Sequence, residues 1–199
     1  SGAFTTAAGM VAVTEKYLNN KFSQKLDKSN VVILGGTGPV GVASAVICAK
    51  AGASVTLVGR SLEKAEKIAG ICNDRYDSKN VKGGADADKS DFFDVADIVL
   101  NTGAAGIQLM SEEHIKNSNT LKICADTNAV PPSGIAGVDV MDNGKVIDMS
   151  PSKCLGIGAL AIGNIKYKSQ HECLKLMYTC EKPVYLDFED AFKFAQKSV

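Results

Sequence analysis

The chain has 199 residues, 45% of them hydrophobic and 22% charged, which is ordinary for a soluble globular protein and enough for one large domain. Lys and Arg together number 22, as do Asp and Glu, so the net charge is zero and there is no electrostatic footprint for nucleic acid or an anionic membrane. No apolar run is long enough to span a bilayer and no signal-peptide pattern opens the chain, so a cytoplasmic location is expected.

In chain order, Thr5 to about Leu18 predicts a helix, with Ala7, Met10, Val11, Tyr17 and Leu18 near one face and Thr5 or Thr6 as its cap. The polar stretch from Asn19 to Asn30 reads as a connection. Val31-Val32-Ile33-Leu34 is a β-branched run that reads as a buried parallel strand. An apolar helix from Val40 to Lys50 follows a glycine turn, and Gly52 suits a left-handed cap after it. Ser54 to Val58 is a second strand. Ser61 then caps a helix whose buried stripe is Leu62, Ala65, Ile68, Ala69 and Cys72.

Residues 73–89 are polar, with at most a short strand near Val81, and Phe92 to Ala96 suggest a helical turn or two. Asp97 to Thr102 and Leu121 to Asp126 are further strands. Val130-Pro131-Pro132 makes a rigid loop, because proline holds its own backbone and that of its predecessor extended. Gly134 to Gly144 reads as loop, ending in a tight turn at Asp142-Asn143-Gly144. Cys154 to Leu160 is a last short strand, and a helix follows Gly163. Asp187 caps a final helix with Phe188, Ala191, Phe192 and Ala195 on its apolar face. The alternation predicts an α/β fold, Rossmann-like and doubly wound, with a mostly parallel sheet and flanking helices. The six cysteines (Cys48, Cys72, Cys124, Cys154, Cys173 and Cys180) form no C-x-x-C pair and read as reduced small hydrophobes. With only His114 and His171 besides, no metal is expected.

The strand at Val31 runs straight into Gly36-Thr37-Gly38-Pro39-Val40-Gly41, the order of strand, glycine turn and helix that a dinucleotide-binding unit needs. Gly36 permits the tight turn, Gly38 lets backbone approach a pyrophosphate, and Gly41 lets the helix pack close. Pro39 suits the first helical turn, where its missing N–H costs least. The helix N-terminus offers N–H groups and a positive dipole end to phosphates.

In an NAD-preferring domain a carboxylate ends the second strand and binds the ribose 2′-hydroxyl. Here that place reads Gly59-Arg60-Ser61-Leu62-Glu63-Lys64. Arg60, Ser61 and Lys64 suit a 2′-phosphate, or serve as a solvated Arg and a capping Ser. NADP is therefore the expected cofactor, with NAD use left open. Thr102, Gly103, Ala104 and Ala105 follow the fourth strand, where small residues admit ribose and nicotinamide or simply make a compact turn. Asn128 after the next strand meets the carboxamide or the substrate, or is a turn residue.

Several motifs together resemble one family, the NAD(P)-dependent methylene-tetrahydromethanopterin dehydrogenases. They are Gly2-Ala3-Phe4-Thr5-Thr6-Ala7-Ala8, the glycine turn at Gly36, Gly59-Arg60-Ser61-Leu62-Glu63-Lys64-Ala65, Gly103-Ala104-Ala105-Gly106, Asp126-Thr127-Asn128-Ala129-Val130-Pro131-Pro132 and Ile162-Gly163-Asn164-Ile165-Lys166-Tyr167-Lys168. Asn164 stands where the family tends to have glycine, and Gln170 where it has histidine. The resemblance implies that residues 1–26 form an interdomain helix and linker, 27–182 the NADP-binding Rossmann-like domain and 183–199 a closing C-terminal helix. The family's N-terminal domain has no counterpart in this chain.

The resemblance further implies hydride transfer from the methylene carbon of a reduced pterin, or of its folate analogue, to NADP, in a homo-oligomer. It makes Lys166, Lys168 and Thr6 the candidates for substrate contact or catalysis, against solvated helix lysines and a plain cap. Two readings compete: a non-catalytic NADP-binding module or cofactor domain that needs a separate partner chain, and a reductase of another small molecule, since Gly59-Arg60-Ser61 also resembles the turn of shikimate-dehydrogenase-like domains.

Overall fold

A computed structural model describes residues 2–199, so Ser1 lies outside it. The sheet is built from short β-branched runs: β1 (Asn30–Leu34), β2 (Ser54–Gly59), β3 (Val81–Ala85), β4 (Ile98–Asn101), β5 (Ile123–Asp126), β6 (Asn143–Val146) and β7 (Leu155–Ile157). Their order is β3-β2-β1-β4-β5-β7-β6, parallel throughout except for β6, which pairs antiparallel with β7 at the edge. Alternate residues of β1 serve opposite layers. Val31 and Ile33 join the core under α1 (Ala3–Phe22), α2 (Pro39–Lys50) and α3 (Leu62–Tyr76), which α6 (Ala159–Thr179) and α7 (Phe188–Ser198) complete. Val32 and Leu34 join a second core with Phe93, Ile115, Leu121, Ile135 and Ile147, beneath α4 (Lys89–Phe93), α5 (Glu112–Asn117) and the loops between β5 and β7. Helices on both faces make the sheet doubly wound, as expected. The order reverses at β1, whose neighbours are β2 on one side and β4 on the other. Open α/β sheets bind ligands at such a point, outside the carboxyl ends of the strands.

Several local expectations are corrected. The first helix starts at Ala3 and runs to Phe22, so Thr5 and Thr6 lie inside it and Gly2 is the cap residue. Its residues 7–14 are buried without a break, because the helix packs against α2, α6 and α7 together. A Cβ on Gly9 would come within 2.9 Å of the Lys166 amide nitrogen, which sets how closely α1 and α6 cross. Helix α6 opens at Ala159 after Gly158, so Gly163 sits within it rather than before it. Leu62 is 45% exposed and leaves the buried stripe to Ala65, Ala69 and Cys72. The stretch at Asn143 is an edge strand, with Gly144 at φ +78° beside the Tyr17 ring. All six cysteines are free, and burial, reinforced by Glu15, pushes the Cys48 thiol up to about 12.

Helix α5 is closed at its start by a reciprocal cap. Ser111 Oγ accepts from the His114 amide, and the Ser111 amide donates to His114 Nδ1 at 3.0 Å. Burial, and secondarily the Lys89 ammonium, hold the imidazole below its ordinary pKa. The unfolded chain therefore binds the proton more readily, so this contribution is complete above about pH 6.5 and is lost as pH falls through the lower folded value. Between pH 7.5 and 5.5 the thermal midpoint should fall on the order of 1–2 °C more in the wild-type chain than in His114→Gln. Equal shifts in a calorimetric melt would remove His114 from the pH response.

Candidate functional site

The glycine turn lies at the reversal of strand order. Gly35, at φ +64°, makes the left-handed turn that the sequence pattern assigns to Gly36. A Cβ there would lie 2.6 Å from Gly103 Cα, so the loops after β1 and β4 touch backbone to backbone. The Gly36 amide donates to the Val58 carbonyl at 2.9 Å, which ties the turn to β2. A Cβ on Gly41 would sit 2.6 Å from Gly36 Cα, so α2 starts hard against the turn. Gly38 differs from these. Its φ and ψ are −85° and 167°, open to any residue, and a Cβ would meet only the Gly35 carbonyl oxygen at 3.5 Å. Among the described residues, nothing demands glycine at 38. Pro39 takes the first helical position, and the first helical bond runs from the Val42 amide to the Gly38 carbonyl. Val40 is half-buried behind it, and the Thr37 methyl lies 2.9 Å from where a Gly59 Cβ would stand.

At the end of β2, Arg60, Ser61 and Lys64 are exposed together. Ser61 Oγ accepts from the Lys64 amide at 3.3 Å as the cap of α3, which leaves its O–H hydrogen for another acceptor. Among the described residues neither Arg60 nor Lys64 enters an ion pair.

The loops after β4 and β5 form the next part of the edge. Thr102 donates twice to the Leu34 carbonyl, from its amide and from Oγ1, each at 2.9 Å. Gly103 is half-buried, and Ala104 and Ala105 face outward. Asn128 is buried and its carboxamide joins its own loop to the one after β4. Its Oδ1 accepts from the amides of Gly106 and Val130, and Nδ2 donates to the Pro132 carbonyl at 2.8 Å. Asn101 and Asp126, which sequence reasoning passed over, end the two strands as a buried hydrogen-bonded pair. The available signal was a polar residue closing each of two fully apolar strands.

The three remaining candidates divide. Lys166 is half-buried on α6, with its Nζ 3.2 Å from where a Cβ on Gly2 would stand. Thr6 Oγ1 donates to the Gly2 carbonyl at 2.6 Å, so both converge on the start of α1. Phe4, close by on the same helix, lines a cavity of about 330 Å³ with Thr37 and Pro39. Lys168 is exposed, about 200° around the helix from Lys166. Its Nζ lies 3.5 Å from the Ser198 carbonyl, near the end of α7. The fold thus brings Lys166 and Thr6 together and sets Lys168 apart.

Two proteins of Methylorubrum extorquens are similar to nearly the whole chain. NAD(P)-dependent methylenetetrahydromethanopterin dehydrogenase is 39% identical over 198 residues, covering 98% of this chain and 66% of that protein. The bifunctional protein MdtA is 35% identical over 200 residues, covering 99% and 66%. The chain therefore spans just under two thirds of the length of these relatives. Among solved structures, quinate dehydrogenase from Corynebacterium glutamicum in complex with NAD aligns at a TM-score of 0.63 and 17% identity, over 98% of this chain and 62% of that one. L-alanine dehydrogenase aligns at 0.60 and 16% identity, over 98% and 58%. These two likenesses establish the Rossmann-like fold. No family model matches the chain.

Proposed function

The chain is a homologue, across nearly its whole length, of NAD(P)-dependent methylenetetrahydromethanopterin dehydrogenase, and from that premise we propose that it is the NADP-binding part of an oxidoreductase acting on a methylene-bearing reduced pterin. The observation that carries the reading is Gly38: a glycine that neither its backbone angles nor its neighbours among the described residues require, at the N-terminus of α2 and at the reversal of strand order. A pyrophosphate there needs close backbone approach and receives the helix N–H groups. Gly36, Thr37, Pro39, Val40 and Gly41 shape that turn, and Arg60, Ser61 and Lys64 take the 2′-phosphate. Thr102, Gly103, Ala104 and Ala105 border the nicotinamide end, with Asn128 holding their loop. Residues 27–182 form this domain in our reading, between an entering helix (1–26) and a closing one (183–199).

Bound NADP⁺ supplies the hydride acceptor. The oxidised pterin is a methenyl cation shared between two nitrogens, so no base is required at the reacting carbon. The chain's own task is to hold two rings in contact and keep water out. In this reading Lys166 on α6 and Thr6 on α1, both close to Gly2, hold the pterin or its anionic tail, and Lys168, on another side of α6, has no part. The folate analogue is the alternative substrate, and a cofactor domain served by a separate partner chain is the alternative assignment.

The test is NADP⁺ reduction with methylene-tetrahydromethanopterin and with methylene-tetrahydrofolate in the complete protein. Lys166→Ala should lower kcat/KM for the pterin about tenfold to a hundredfold, the worth of one or two charged contacts, with the NADP⁺ Kd unchanged. Unchanged turnover would take Lys166 out of the site. NADP⁺ binding without turnover on either pterin would favour the non-catalytic module.

A further inference from the structure

Beneath the loops that border the nicotinamide end lies a carboxylate that neither the glycine fingerprint nor the pterin chemistry uses. Asn101 and Asp126 are register partners on β4 and β5, 0% and 1% exposed. Asp126 makes no ion pair among the described residues. Its charge is met by N–H donors alone: Asn101 Nδ2 at 2.7 Å and the Asn128 amide at 2.9 Å on Oδ1, and the Ile135 amide at 3.1 Å on Oδ2. Burying such a group is costly, and a neutral amide in its place would have one acceptor oxygen only, with an NH₂ set against an N–H donor on the other side.

The bonds run outward in tiers. Asn101 Oδ1 accepts from the Gly103 amide at 3.1 Å, and Asn128, aligned by Asp126, holds Gly106 and Val130. A Cβ on Gly134 would overlap the Asn101 amide, so that backbone is pressed onto the pair. The Gly134 carbonyl in turn accepts from Leu109 and Met110 at 2.8 and 3.1 Å. The backbone at 103–106 and at 128–135 is thus referred to one buried carboxylate.

We infer that Asp126, through Asn101 and Asn128, is a positioning residue that fixes the two loops receiving the nicotinamide half of the dinucleotide. The inference rests on the NADP reading. Asp126 touches no ligand in this account; it acts by setting where the loop backbone stands. Neighbouring loops misplaced by an ångström cost hydride transfer far more than they cost binding, because the second half of the dinucleotide must be aligned, not merely held.

Asp126→Asn keeps the size and replaces one oxygen by an NH₂ that faces an N–H donor. In the complete protein, kcat for NADP⁺ reduction should fall about tenfold to a hundredfold, while the KM for NADP⁺ and the calorimetric Kd for 2′,5′-ADP, the adenosine half alone, stay within about twofold. An unchanged kcat in a folded variant would overturn the inference. Loss of 2′,5′-ADP affinity in step with kcat would overturn it too, since a general disturbance of the fold moves both. If Asp126→Asn does not fold, Asn128→Ala, which leaves the strands intact, must show the same split. A wild-type protein that binds neither NADP⁺ nor 2′,5′-ADP would sink the nucleotide reading itself, whatever the variants do.

Discussion

Replacing Gly38 with valine should leave the chain folded and raise the Kd for NADP⁺ about a hundredfold or more, the loss of two charge-assisted bonds to phosphate. The backbone at 38 is extended, so a β-branched residue enters without strain, and only the Gly35 carbonyl oxygen lies near the added carbon. Losing a glycine N-cap costs about 1 kcal/mol, a small fraction of a domain's stability. The isopropyl group instead fills the space before the α2 N-terminus that a pyrophosphate needs. Gly41→Val is the contrasting variant. Its Cβ would fall 2.6 Å from both Gly36 Cα and the Gly36 oxygen, so the fold itself should suffer and the melting temperature drop. Calorimetric titration beside a circular-dichroism melt separates the two. Undiminished NADP⁺ binding by Gly38→Val would mean that no phosphate lies at this turn.

The turn around Gly38 was legible because strand, turn and helix are consecutive in the chain. The same holds for β1, β2, β4 and β5, whose apolar runs name a buried parallel strand, and for Ser61 and Asp187, whose caps are read within three residues. What sequence reasoning missed depends on partners far away in the chain. β6 is largely exposed and pairs with β7 alone, so its polar sequence looks like a turn. Helix α5 buries only Ile115 and has no stripe to read. Gly163 looked like a break, yet a Cβ there would meet no described atom within 4 Å beyond its own stretch of helix, and α6 continues through it at a propensity cost of about 1 kcal/mol offset by packing on α1 and α7. Asn101 and Asp126 acquire their role only when the sheet order sets β4 beside β5. Asn128, read as a ligand contact or a turn residue, has its side chain committed to its own turn and to Gly106 in the loop after β4.

Arg60→Ala should weaken NADP⁺ about tenfold to a hundredfold and leave NAD⁺ within about twofold, because a guanidinium–phosphate contact contributes about 1.5–3 kcal/mol and the 2′-hydroxyl of NAD⁺ offers no charge to it. The site is free for this role. Arg60 is exposed at the end of β2 with no ion pair among the described residues to give up, so removing it costs the fold little. Lys64 stands one helical turn on, likewise outside the ion pairs of the described residues, and keeps the single variant from losing all discrimination; Arg60→Ala with Lys64→Ala should bring the two affinities together. A contact made in open solvent is screened, so the NADP⁺ preference of the wild type should also narrow between 20 and 300 mM salt, roughly as the Debye length shortens. Calorimetric Kd values for both nucleotides decide the matter. Equal losses for NADP⁺ and NAD⁺ would place Arg60 on the adenine ring rather than the phosphate, since stacking on adenine serves both nucleotides alike, and the cofactor preference would then have to come from Ser61 and Lys64.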